Sequence, residues 1–256
     1  MKFGENMMEG LYDDICEIYD DLGISDYAIT FGKSILEFFS KEHPDKEFKR
    51  HLDICSGTGA LCNFFYEKGI ETKGVDIMES MVDVAKNNFP AIEFICEDAA
   101  KYKTDETFDF ITSTDDALNH VIDLEDFKSI IENVSSMLRE GGYFFFDLNL
   151  ERLFEKESVK EIGENKKFIL SRNLTDDGIL EIILKYYVND ELIVENEIQE
   201  RVYDTAWVIK VLNDNGFILE RCSQEFYQEL RADKLKFIAR KGEKGIFSSP
   251  SLLGSN

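Results

Sequence analysis

The chain has 256 residues, enough for one α/β domain carrying an insertion or for two small domains. Its 52 acidic residues against 29 basic give a formal net charge of −23, a surface that repels polyanions. Nucleic acid and anionic membranes are therefore poor partners; the acid either keeps the chain soluble or attracts a cationic or amine substrate. Hydrophobic residues make up 43%, with 21 phenylalanines, ample for a core. Cys16, Cys55, Cys62, Cys96 and Cys222 form no C-x-x-C pair and read as reduced core cysteines. The first residues lack a charged-then-apolar signal pattern, and no apolar run approaches the ~18 residues of a membrane span, so a cytoplasmic location is expected.

In chain order, residues 8 to 42 read as two helices around a break at Gly23. Leu11, Ile15 and Ile18 share one face, and Tyr12 and Tyr19 lie two turns apart. A polar linker, 41 to 50, leads to the run His51-Leu-Asp-Ile-Cys-Ser-Gly-Thr-Gly-Ala-Leu61. Leu52 and Ile54 supply a buried strand, and Gly57 and Gly59 permit positive φ and close approach of a ligand to the backbone. A helix follows and stops at Gly69. Strand, glycine turn and helix start together make a nucleotide-type site, or an ordinary tight turn. The dinucleotide fingerprint needs a third glycine, but position 62 is Cys.

Downstream, Lys73-Gly-Val-Asp76 ends a second strand, and an acid there can take both hydroxyls of a ribose. A helix from Met78 to about Asn88 is stopped by Pro90, a third strand covers 92 to 96, and Glu97-Asp98-Ala99 follows. Phe108-Asp-Phe-Ile-Thr-Ser113 is a fourth strand, and an amphipathic helix at 124–138 leads through Gly141-Gly142 into a fifth strand ending at Asp147. The pattern Asp53-x-x-x-Gly57-x-Gly59 with these landmarks resembles the class I (Rossmann-like) S-adenosylmethionine (SAM)-dependent methyltransferases, nearest to the small-molecule and aminosugar N-methyltransferases. The resemblance implies a doubly wound, seven-stranded, mostly parallel sheet. It also implies that SAM, leaving as S-adenosyl-L-homocysteine, lies against Asp53, Cys55, Gly57, Gly59, Asp76, Ile77, Met81, Asp98, Ala99 and Thr114. By the same resemblance Tyr12, Tyr19 and Tyr27 close over the SAM carboxylate or the acceptor, and His120 stands beside the acceptor.

His120 follows strand four in Thr114-Asp-Asp-Ala-Leu-Asn-His120, at the sheet edge where ligands sit. Its imidazole can accept a proton near neutral pH, or it caps the next helix. Asp115 and Asp116 hold a cationic acceptor, or merely begin the turn. No metal is expected, because histidines and carboxylates do not cluster along the chain at ligand spacing.

Residues 151 to 165 read as a charged, irregular connector. The period then switches to two, giving strands at 167–173, 179–188 and 191–202 joined by Asp-Gly and Asn-Asp turns. These antiparallel hairpins form an insertion after strand five, over the acceptor pocket or at a dimer contact, with Tyr186, Tyr187 and Arg201 the residues of interest. A helix from 205 ending at Gly216 and two closing strands complete the core. The divisions are a helical lid at 1–45, the SAM-binding core at 46–150, the insertion at 151–203, the rest of the core at 204–241 and a disordered tail at 242–256. The expected protein is a monomer or homodimer that methylates a small amine or hydroxyl compound. A non-catalytic SAM or nucleoside binder and an NAD(P)-dependent oxidoreductase are the alternatives.

Overall fold

The computed structural model describes residues 16, 25–149, 157–162, 165–225 and 234–242; Tyr12, Tyr19 and the tail from 243 lie outside the described residues. The core is a seven-stranded sheet of β1 (Arg50–Ile54), β2 (Glu71–Asp76), β3 (Glu93–Cys96), β4 (Phe108–Ser113), β5 (Leu138–Asn149), β10 (Phe217–Glu225) and β11 (Lys234–Lys241). Their spatial order is β3-β2-β1-β4-β5-β11-β10. The first five run parallel, and β11 pairs antiparallel with both β5 and β10. The order reverses at β1 and β4, so their carboxyl ends border the crevice where α/β sheets bind ligands.

Both faces are covered, which is why β4 and β5 read as continuous apolar runs. On one face, α1 (Asp26–Glu42), α2 (Ala60–Tyr66) and α3 (Glu79–Asn88) lie against Phe110, Tyr143, Phe145 and Phe94. On the other, α4 (Leu124–Met137) and α5 (Thr205–Asp214) bury Leu52, Ile54, Ile111, Phe144 and Phe146. Tyr143 through Phe146 thus alternate faces as a strand must. Asp123 and Asp204 cap α4 and α5, accepting from the Glu125 and Trp207 N–H groups.

A second sheet is built after β5 from β6 (Glu157–Ile162), β7 (Lys166–Leu174), β8 (Ile179–Val188) and β9 (Glu191–Arg201), paired antiparallel in sequence order. The turns are as expected: Gly178 has φ 81°, and Asn189 and Asp190 both adopt positive φ. The expected connector at 151–165 is corrected by β6. Its mixed polar and apolar residues carry little period of their own, and the strand exists through its ladder with β7. Leu180, Ile182 and Ile198 form the small apolar face of this sheet. Among the described residues, no helix is long and apolar enough to cross a membrane.

Candidate functional site

The β1–α2 turn is held open by backbone strain and backbone hydrogen bonds. Cys55 has φ 57°, Gly57 52° and Gly59 81°. The Ser56 N–H donates to the Val75 carbonyl and the Gly59 N–H to the Ser56 carbonyl, each at 3.0 Å. A Cβ on Gly59 would stand 2.5 Å from Phe94 Cζ, so this glycine lets the turn sit on β3. Nothing lies within 4 Å of a Cβ built on Gly57, which faces open space.

Acids converge on that space from neighbouring strand ends. Asp76 ends β2, where Oδ2 accepts from the Gly57 N–H at 2.8 Å and Oδ1 from the Met78 N–H at 2.9 Å. Burial raises its pKa against those hydrogen bonds. Asp98, just beyond β3, accepts from the Ala100 N–H and pairs with Lys101 at 3.0 Å. The Cys55 thiol, raised by burial, feels Asp76, Asp53 and Asp98 together. Ile77 is 47% exposed beside Asp76, an apolar surface suited to the face of a base. Met81 and Thr114 are buried, and Ala99 packs at the edge of the core. These features fit SAM: an open glycine turn, two carboxylates for hydroxyl and amino donors, and an uncovered apolar side chain.

Asp53 is placed differently. Its carboxylate is 2% exposed and points beneath α2, accepting from Thr112 Oγ1 at 2.5 Å and Cys62 Sγ at 3.9 Å. It can therefore support the turn from below but not touch a ligand above it. Cys62 occupies the slot of the missing third glycine. The same Thr112 hydroxyl lies 2.7 Å from His51 Nε2.

His120 ends a short 3-10 turn, Ala117–His120, after β4. It does not cap α4; Asp123 does. One ring nitrogen bonds to the Gln199 backbone, while Asp116, Asp115 and Asp76 place negative charge around the ring. Burial nevertheless lowers its pKa, keeping the imidazole neutral at physiological pH. Asp115 and Asp116 adopt left-handed φ because Asp147, fully buried, accepts both their N–H groups at 3.0 and 2.8 Å. Lys234 on β11 bonds Asp115 at 2.5 Å and lies over the Tyr27 ring at 4.3 Å, bringing α1 to this edge.

The second sheet docks here. The Asn119 amide donates to the Arg201 carbonyl at 2.8 Å, and Arg201 Nε donates to the Ile122 carbonyl at 2.5 Å. These contacts bring Glu200 to Asn149 at 3.2 Å and into one cluster with Asp116 and His120. Burial raises Glu200 to about 8.

Residues 52–142 match the model of the methyltransferase domain family. The fold is also that of solved SAM-dependent methyltransferases. Residues 52–142 thus carry a methyltransferase domain, on a fold shared with class I SAM-dependent methyltransferases. One solved relative, a SAM-dependent methyltransferase from Clostridium acetobutylicum ATCC 824, is 24% identical with a TM-score of 0.76, covering 91% of this chain and 99% of that one. SAM-bound CalS10, an amino pentose methyltransferase from Micromonospora echinaspora, is 14% identical with a TM-score of 0.71, covering 94% and 99%. The ubiquinone biosynthesis O-methyltransferase of Coxiella burnetii (strain Dugway 5J108-111) is 31% identical over 134 residues, 50% of this chain and 55% of its own length.

The structure brings together Gly57, Gly59, Asp76, Ile77 and Asp98, and sets Tyr27 and His120 at the same edge. Of the insertion residues singled out, Tyr186 is buried, stacked on Phe168 at 4.7 Å, and Tyr187 lies beneath Lys167. Glu200, Asn149 and Lys234 were missed. Glu200 had a signal: Val194 and Ile198 face inward on β9, and Glu200 is an acid in the next inward position. The spatial cluster of Asp116, His120 and Glu200 also revises the expectation that histidine and carboxylates stay apart.

Proposed function

We propose that this methyltransferase transfers the methyl group of SAM to a nitrogen or oxygen of a small-molecule acceptor held beside His120. The observation that carries this reading is the position of His120, between the acid of the cofactor turn, Asp76, and the second sheet. Bound SAM supplies a methyl group already activated by its sulfonium, so the chain need only align and deprotonate. In this reading Asp76 takes the ribose hydroxyls, Asp98 the adenine amino group and Ile77 the adenine face. Gly57 and Gly59 leave room for the methionine part, with Cys55, Met81, Ala99 and Thr114 shaping the walls. Asp53 supports the turn from beneath. Tyr27, with Tyr12 and Tyr19 from the sequence, closes the site. Holding acceptor, methyl carbon and sulfur in line is worth up to ~7–11 kcal/mol.

The neutral His120 accepts the acceptor's proton or fixes its lone pair. The second sheet roofs the acceptor, since Arg201 and Asn119 tie β9 to the turn that carries His120. Both an amino pentose methyltransferase and an O-methyltransferase stand among the relatives, which supports the two acceptor chemistries equally. The test is a panel of small amines and hydroxyl compounds incubated with SAM and followed by mass gain. His120→Gln is expected to lose about 10²–10⁴-fold in kcat while binding SAM as before. Equal turnover by the variant, or no methylated product from a protein that binds SAM, overturns the reading.

A further inference from the structure

The turn that carries His120 is fastened to the end of the second sheet residue by residue. Asn119, fully buried, donates from Nδ2 to the Arg201 carbonyl at 2.8 Å, and its Oδ1 accepts from the Asn149 N–H on β5 at 3.0 Å. The His120 ring bonds the Gln199 backbone. The Val121 carbonyl accepts from the Tyr203 hydroxyl, and the Ile122 carbonyl from Arg201 Nε at 2.5 Å. Every residue from 119 to 122 is thus tied to one short stretch, 199 to 203.

The ties are themselves braced. Tyr203 is buried, with its ring 5.6 Å from Trp207 and nearly parallel to it, and 4.5 Å from Phe127, so it is wedged between α5 and α4. Burial raises its phenol, which keeps the hydroxyl protonated and donating. Arg201 reaches the other way: Nη1 donates to the Asp177 carbonyl at 3.2 Å in the β7–β8 turn, and the Gly178 carbonyl there accepts from the Val202 N–H at 2.9 Å. The Gln199 bond favours the protonated imidazole, as it does when a ring N–H donates to a carbonyl. A neutral ring held in that way presents its other nitrogen as a proton acceptor.

We propose that Tyr203 and Arg201 are positioning residues for His120, fixing the backbone that follows it so that the imidazole keeps one aim and one tautomer toward the acceptor. The role toward the acceptor rests on the function proposed above; the fixing of the ring does not. Asp115 and Asp116 on the same turn, Asp76 on β2 and Glu200 on β9 face the ring. Lys234 on β11 pairs with Asp115 and Asp116, and Arg172 on β7 bears on Glu200. Burial outweighs the pull of the acids and lowers the imidazole. Without the Tyr203 hydroxyl the Val121 carbonyl turns toward water, the turn admits solvent, and the balance moves toward the acids.

The experiment follows the His120 ring of the full-length protein by NMR between about pH 4 and 8, without SAM or acceptor. Tyr203→Phe keeps the aromatic stack and removes one hydroxyl. Its His120 titration is expected to rise toward 6.5 by about half a unit or more, while SAM binds as before. Arg201→Lys keeps the charge but loses the planar fork that spans Ile122 and Asp177, and should move the titration the same way. Lys185→Gln, which breaks a surface pair with Glu195 on the same sheet, should leave it unchanged. A titration unmoved in both variants overturns the proposal, as does an equal shift in Lys185→Gln, which would mark a general loosening of the sheet. SAM titration checks that each variant folds. With any acceptor turned over in the panel above, Tyr203→Phe should lower kcat by about 10- to 100-fold at an unchanged KM for SAM. A raised KM for SAM with kcat intact contradicts the positioning role. Normal turnover by His120→Gln, beside a shifted ring titration in Tyr203→Phe, leaves the fixing of the ring standing and removes only its part in methyl transfer.

Discussion

Asp53 and His51 lie two positions apart on β1 and share the Thr112 hydroxyl. Their titrations oppose each other. Burial raises Asp53 from 3.8 to about 7, so the folded chain holds its proton more tightly than the unfolded chain. That contribution is complete below 3.8 and is lost as pH rises through about 7. Burial lowers His51 from 6.5 to about 3, so its contribution is present above 6.5 and lost as pH falls toward 3. Between about pH 4 and 6.5 the two slopes cancel in part. Asp53→Asn removes the first slope. Urea unfolding at pH 5 and pH 8 should show the variant gaining on wild type by a few kcal/mol at the higher pH, since each tenfold change in proton affinity is worth ~1.4 kcal/mol. A difference that does not move with pH contradicts this account of Asp53. The sequence marked Asp53 as a cofactor residue because it precedes the glycines. That its side chain points beneath α2 depends on strand pleat and on Thr112 across the sheet, which spacing alone does not carry.

At the scale of the β1–α2 turn, the two glycines do different things. Gly57→Ala places its methyl in open space at φ 52°, so it should cost about 1 kcal/mol of stability and more than tenfold in SAM affinity. Gly59→Ala drives Cβ into Phe94, so it should lower stability by roughly 1–3 kcal/mol as an overpacked core site. Thermal melts with and without SAM separate the two; equal melting temperatures for the ligand-free variants would be contrary to this division. The turn, the five parallel strands and the closing pair were legible because apolar period, glycine and strand-end acids agree locally. β6 was not, because Val159 and the polar residues around it show no apolar face until β7 provides a ladder. Nor was the partnership of His120 with Glu200, which arises only when Arg201 and Asn119 dock β9 on the core.

Across the whole molecule, part of the acidic excess stands where it can act. A net charge of −23 disfavours polyanions everywhere. At the carboxyl edge of the sheet, however, Asp76 and Asp98 stand by the open turn, and Asp116, Asp147 and Glu200 surround the junction with the second sheet. Lys234, buried against Asp115, Asp116 and Asp147, is held protonated by them although burial opposes its charge. The same doubly wound order that places β1 beside β4 thus puts Gly57, Asp76 and His120 at one edge.

The central claim is that the β1–α2 turn and Asp76 hold SAM. Calorimetric titration of the full chain with SAM, repeated on Asp76→Ala, tests it most directly. Micromolar binding by the wild type that weakens at least tenfold in the variant, while the variant still melts cooperatively, is the predicted result. Unchanged affinity in a folded Asp76→Ala would contradict the claim and move the ribose contact elsewhere along the sheet edge.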